Sequence, residues 1–277
     1  MRASLLSILT FCSLILLPRG QAATEIPFEH RDGLIWLKVT AAGRAEPLRF
    51  LLDSGAGATV LDLRAARALG AEIGRPLTVH GVGGRGTAFR VKSTPLSLAS
   101  VPLPDPDFAM DLSTVSAACG KRIDGLLGAD FFRKHIVQID FRAEKIRLLS
   151  RGELPPAGGE TLPLAQRGDA LCVRLSVNSQ RPAWVRVDTG CDAALEWVTQ
   201  DTGREKRSGP SVAATRGSRR RIPAAVQLGA LTIGSVSTGL HDTAIFPGEG
   251  GLLGNGLLAR FTVTFDTAKG RLFLARN

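Results

Sequence analysis

Tyrosine is missing from all 277 residues, aromatic side chains make up only 5%, and there are just four cysteines and four histidines. So few flat side chains leave few platforms on which bases could stack, which argues against nucleic-acid binding. His30, His80, His135 and His241 are scattered with no HExxH, and no CxxC joins the cysteines, so a zinc site lacks its ligand set. No GxSxG or Walker sequence occurs, which removes the usual constellations of serine and nucleotide enzymes. The sequence therefore calls for no cofactor and no metal.

Long apolar runs are also lacking, apart from Leu5 to Leu17. Arg2 precedes that run, Pro18, Arg19 and Gly20 break it, and Ala22-Ala23 supply small residues for cleavage. This is the layout of a secretory signal peptide over residues 1–23, too short to span a bilayer. Export to the periplasm or the extracellular space is expected, with no stable membrane insertion after signal cleavage. Cys119, Cys172 and Cys191 would then meet oxidising conditions, where three thiols allow at most one internal disulfide, its pairing left open. The formal net charge is +10, with its densest cluster at Arg216, Arg219, Arg220 and Arg221, read as a solvated basic loop.

Glycine (31) and proline (15) are plentiful, which favours short strands joined by turns. The chain reads as one unit written twice. Leu34 to Val39, a turn, then Leu48 to Leu52 lead into Asp53-Ser54-Gly55; Leu171 to Val177, a turn, then Ala183 to Val187 lead into Asp188-Thr189-Gly190. Alternation and turn residues predict a hairpin in each copy. Each copy later repeats Gly-Leu-Leu-Gly, at residues 125–128 and 251–254, and each continues through a short apolar segment into a strand ending at Asp140 or Asp266. One helix is expected, Leu63 to Leu69, capped by Asp62 and ended by Gly70. The predicted class is all-β: two homologous β-barrel-like lobes about a pseudo-two-fold axis, residues 24–150 and 161–277, joined by a polar linker over 151–160.

Two facing Asp-Ser/Thr-Gly turns carry a definite chemistry. Glycine lets the loops approach closely, and the Ser54 and Thr189 hydroxyls can bond the opposite loop. Two carboxyls brought that near cannot both ionise, so the pair holds a proton over a wide pH range. A water between them meets a base and an acid at once, which is what attack on an amide carbonyl needs without a covalent intermediate. A third such tripeptide, Asp201-Thr202-Gly203, has no feeder strand and reads as a surface turn.

Leu52-Asp53-Ser54-Gly55-Ala56 and Val187-Asp188-Thr189-Gly190-Cys191, each followed by Gly-Leu-Leu-Gly, resemble the pepsin-like and retropepsin-like aspartic peptidases, and Gly128-Ala129-Asp130-Phe131-Phe132 resembles their compact bacterial two-repeat, single-chain form. The resemblance implies a bilobal fold and an aspartic endopeptidase acting on a polypeptide substrate, expected as a monomer. It places the catalytic pair at Asp53 and Asp188, loop support at Ser54, Gly55, Thr189 and Gly190, and bracing elements at Leu126-Leu127-Gly128 and Leu252-Leu253-Gly254.

Thr78 to Phe89 reads as a hairpin with a glycine tip, a flap whose Gly81, Val82, Gly83 and Gly84 would meet substrate. Its GxGxxG spacing is no dinucleotide signal, since a strand-like segment follows. The chain departs from the pattern in having no flap tyrosine, and in placing Cys191 where a small residue is usual and Asp192 after it. Cys191 is expected to be a buried, inert thiol, the other reading being a residue that crowds or oxidises near the carboxyl pair, with Asp192 beside it placed to perturb that pair. The alternative is a weakly active or inactive peptide-binding protein of the same fold in the cell envelope.

Overall fold

The computed structural model describes residues 24–81, 84–92, 95–150, 152–153, 158–199 and 220–277. The expected signal peptide, the flap residues Val82 and Gly83, Asp201-Thr202-Gly203, Arg216 and Arg219 lie outside these. Among the described residues no helix is long and apolar enough to cross a membrane.

The first repeat opens with β1 (Thr24–Pro27), β2 (Glu29–Arg31), β3 (Leu34–Ala41), β4 (Leu48–Leu52) and β5 (Val60–Asp62). Helix α1 (Leu63–Ala68) follows, capped by the Asp62 carboxylate on the Arg64 and Ala65 amides. Then come β6 (Glu72–Gly81), β7 (Gly84–Lys92), β8 (Leu96–Leu98), β9 (Val101–Pro102) and β10 (Phe108–Met110). Helix α2 (Ser113–Ala118), β11 (Gly125–Leu127), α3 (Ala129–Lys134), β12 (Ile136–Asp140) and β13 (Lys145–Leu149) complete it.

The second repeat runs β14 (Glu160–Pro163), β15 (Ala165–Arg167), β16 (Ala170–Val177), β17 (Ala183–Asp188) and β18 (Leu195–Val198). It continues with β19 (Arg220–Leu228), β20 (Leu231–His241), β21 (Gly251–Gly254), α4 (Asn255–Leu258), β22 (Phe261–Asp266) and β23 (Arg271–Arg276). More helix is present than the single one expected. The segments after each Gly-Leu-Leu-Gly, read as apolar connectors, are the short helices α3 and α4, and α2 had no sequence signal at all.

Each repeat builds its own sheet, and the two sheets follow one plan. The hairpin β3–β4 pairs Trp36 with Leu51, and β16–β17 pairs Cys172 with Arg186. The Gly-Leu-Leu strand then lies parallel to the second strand of each hairpin, Leu127 beside Leu52 and Leu253 beside Val187. A third sheet, in the order β1-β13-β12-β22-β23-β14, takes strands from both repeats, with Val137 opposite Phe265 and Ile139 opposite Val263. One apolar core runs through all three sheets, from Phe50, Phe131 and Phe132 to Trp197 and Phe265.

Candidate active site

The strand ends fix where each acidic residue emerges. Asp53 follows β4, and its amide donates to the Leu127 carbonyl at 2.9 Å, so β11 braces the first loop from behind. Asp188 ends β17 beside Gly254 of β21, the equivalent position in the second repeat. Both loops then turn on themselves. The Ala56 amide donates to Asp53 Oδ1 at 2.9 Å, and the Gly190 amide to Asp188 Oδ1 at 2.9 Å.

The loops interlock reciprocally. The Ser54 amide donates to Thr189 Oγ1 at 2.9 Å, and the Thr189 amide to Ser54 Oγ at 3.0 Å. Each hydroxyl in turn donates a hydrogen bond to the opposite strand, Ser54 to the Val187 carbonyl at 2.7 Å and Thr189 to the Leu52 carbonyl at 2.9 Å. All four bonds are buried, so losing a hydroxyl strands an amide away from water. Thr189→Val, which keeps the shape but removes the acceptor, is expected to cost about 2 kcal/mol by this unpaired-group penalty, with Ser54→Ala similar. The pair together should cost less than the sum, because the bonds form one network. Urea unfolding of the two single variants and the double checks this.

Glycine makes the approach of the carboxyls possible. A methyl group built on Gly55 would lie 2.5 Å from Asp188 Cγ, and one on Gly190 would lie 2.6 Å from Asp53 Cγ. One step out, aspartates of the second repeat cover two glycines of the first, Asp169 over Gly57 and Asp192 over Gly33. The Asp53 and Asp188 side chains hydrogen-bond each other. Burial lifts the Asp53 carboxyl above the usual carboxylate range, and lifts Asp188 well above it, helped by the neighbouring Asp53 charge. Such a pair holds a single proton, the condition for acid and base to coexist.

Residues 37–131 match the family model of the aspartyl proteases. Over that segment, about a third of the chain, the first repeat is similar to the aspartyl proteases. The fold extends that likeness beyond the matched segment: an aspartic proteinase from Irpex lacteus superimposes with a TM-score of 0.58 at 14% identity, covering 92% of this chain and 98% of that one. It is one of 397 matching chains of solved structure. No curated protein sequence matches significantly.

Within this fold the structure brings together Asp53, Ser54, Gly55, Asp188, Thr189 and Gly190. The hairpin read as a flap is formed by β6 and β7, with Gly81 opposite Gly84 at its end. Cys191 is buried with its sulfur against Gly254, and burial first, then the nearby Asp188 charge, holds the thiol well above its ordinary pKa. Asp192 is exposed and lies against Gly33. Cys119, Cys172 and Cys191 are all free, so the one disulfide allowed by their number is not formed.

Two buried charged groups escaped the sequence reading. Glu196 of β18 is 1% exposed and is held by Arg221 and His241, each at 2.5 Å. Arg221 and Arg220 are both exposed, as a solvated loop requires, but Arg221 is also anchored to the second sheet by this ion pair. Arg186, which looks like an outward residue of an alternating strand, is 6% exposed and points across to the first loop.

Proposed function

We propose that the chain is an exported aspartic endopeptidase in which a water held between Asp53 and Asp188 attacks the scissile carbonyl of an extended polypeptide. The observation that carries this reading is the reciprocal interlock of the two Asp-Ser/Thr-Gly loops, which sets two carboxyls in contact with one proton to share. The ionised member takes a proton from the water, the protonated member donates to the carbonyl oxygen, and the proton later passes to the leaving amine. No covalent intermediate forms. The β6–β7 hairpin serves as the flap that closes over substrate and excludes water. The leader at residues 1–23 supports delivery to the periplasm or beyond, and both halves of the site on one chain support a monomer.

The test is hydrolysis of a broad peptide library by the mature chain between pH 3 and 8, with and without a pepstatin-type inhibitor. Cleavage that the inhibitor abolishes is expected. Tight inhibitor binding with no turnover would replace the peptidase reading with a peptide-binding one.

A further inference from the structure

The two halves of the site differ in what stands behind them. In the first repeat, Leu51, two residues before Asp53, packs in a small apolar cluster with Leu34, Trp36, Leu112 and Ile123. In the second, the equivalent residue is Arg186, two before Asp188, and the residue equivalent to Ile123, two before the Gly-Leu-Leu-Gly glycine, is Glu249. These two form a buried fork, with Arg186 Nε to Glu249 Oε2 at 2.9 Å and Nη2 to Oε1 at 2.6 Å. The Phe246 ring covers the guanidinium at 3.7 Å. One apolar cluster has been replaced by one ion pair, on one side only.

The remaining nitrogen of the fork crosses between the lobes. Arg186 Nη1 donates to the Gly55 carbonyl at 2.7 Å. That carbonyl belongs to the same peptide unit as the Ala56 amide, which donates to Asp53 Oδ1 at 2.9 Å. A cation on the carbonyl end of a peptide polarises its N–H and strengthens the bond that the N–H makes. The second loop has no such arrangement: Leu51 stands where the arginine would be, and the Asp188 carboxyl is held by the Gly190 amide at 2.9 Å, while the Ala56 and Cys191 amides alike also donate to their own aspartate's main-chain oxygen.

We propose that Arg186 is a positioning residue that, through the Gly55–Ala56 peptide, orients Asp53 and keeps it the ionised member of the pair, leaving the proton on Asp188. This rests on the peptidase reading. The charged groups that bear on Asp53 are Asp188 and Arg186. Arg186 in turn faces Glu249, Asp169 at 4.0 Å, and Asp188. Cys172 beside it stays a neutral thiol, pushed up to about 11 chiefly by burial. Arg186 lowers the pKa of both carboxyls, and Asp188 is nevertheless the one held further up.

The experiment copies the first repeat's solution into the second. Arg186→Leu with Glu249→Ile removes both charges together, a kind of replacement that buried ion pairs commonly tolerate. Expected is a folded enzyme whose kcat/KM acid limb moves up by about one pH unit, since an opposite charge at this range is worth at least that much. kcat should fall about tenfold, by the same unit expressed as a rate, with KM little changed. The carbon-13 carboxyl signal of Asp53 should titrate higher by the same amount. Arg186→Lys keeps the charge but loses the fork, so its shift should be smaller and of the same sign.

A folded double variant with an unmoved acid limb and an unmoved Asp53 titration would overturn the proposal. Should that variant fail to fold, an Arg186→Lys enzyme identical to wild type in both readouts would overturn it equally. The carboxyl titration does not depend on turnover. A wild type that cleaves nothing would therefore sink the peptidase reading while still deciding what Arg186 does to Asp53.

Discussion

Asp53→Asn and Asp188→Asn should each lower kcat for peptide hydrolysis by about a thousandfold, within the range that one positioned acid or base contributes. Asparagine has the size of aspartate, and its oxygen can still accept the loop amides that Asp53 and Asp188 hold now. What it lacks is a proton to give or a charge to receive one, so the loss should fall on turnover, with folding retained. Stability carries a second signature. The native Asp188 carboxyl is held well above its ordinary value, so the folded state binds that proton more tightly than the unfolded chain does. The associated stability is fully present below the unfolded carboxyl pKa of about 3.9 and is lost as pH rises through the raised native value. Asp188→Asn removes that titration. Its urea midpoint should drop less between pH 4 and pH 7 than the wild-type midpoint does. A variant that cleaves peptides at the wild-type rate would remove that aspartate from the mechanism.

Gly55→Ala and Gly190→Ala should act on the same chemistry from the other side. Neither glycine has a positive φ, so alanine is no strain on the backbone itself. The conflict lies with the partner carboxyl, 2.5 Å from a methyl on residue 55 and 2.6 Å from one on residue 190. A carboxyl is the mobile end of its side chain, so it will swing aside, and each alanine displaces the aspartate of the opposite lobe. A misplacement of about 1 Å costs on the order of 100-fold in rate. Each variant is expected to lose about that much kcat with a nearly unchanged unfolding transition. Gly234→Ala, at a strand position with nothing within 4 Å, is the control that should leave both unaltered. A Gly55→Ala enzyme of full activity would mean that the two carboxyls need not touch.

The hairpins, the parallel bracing strands and the meeting of Asp53 with Asp188 were legible because each was written twice, so one copy served as a check on the other. What was not duplicated was not legible. The pairing of β12 with β22 joins the copies to each other, and nothing within either copy signals it. The helices α2, α3 and α4 have six, six and four residues, too few for a 3.6-residue period to show against the apolar background. Arg186, Glu249 and Glu196 looked like ordinary charges because burial is set by what packs over a side chain, and Phe246 and Gly239 are remote in sequence from what they cover. The Cys191 expectation succeeded for a local reason: a residue placed between the loop and the Gly254 strand had no route to solvent.

The third sheet, in which three strands of one repeat join three of the other edge to edge, also sets how the molecule responds to dilution. Had each repeat been a separate chain, the paired carboxyls would exist only while two molecules stayed associated, and they would vanish as concentration fell. Tethering the copies makes that encounter intramolecular, at an effective concentration that a test-tube dilution cannot alter. The tether also frees the copies to diverge. Only because each chain carries both can one keep leucine and isoleucine behind its acid while the other carries arginine and glutamate, a division of labour that identical subunits are forbidden by symmetry.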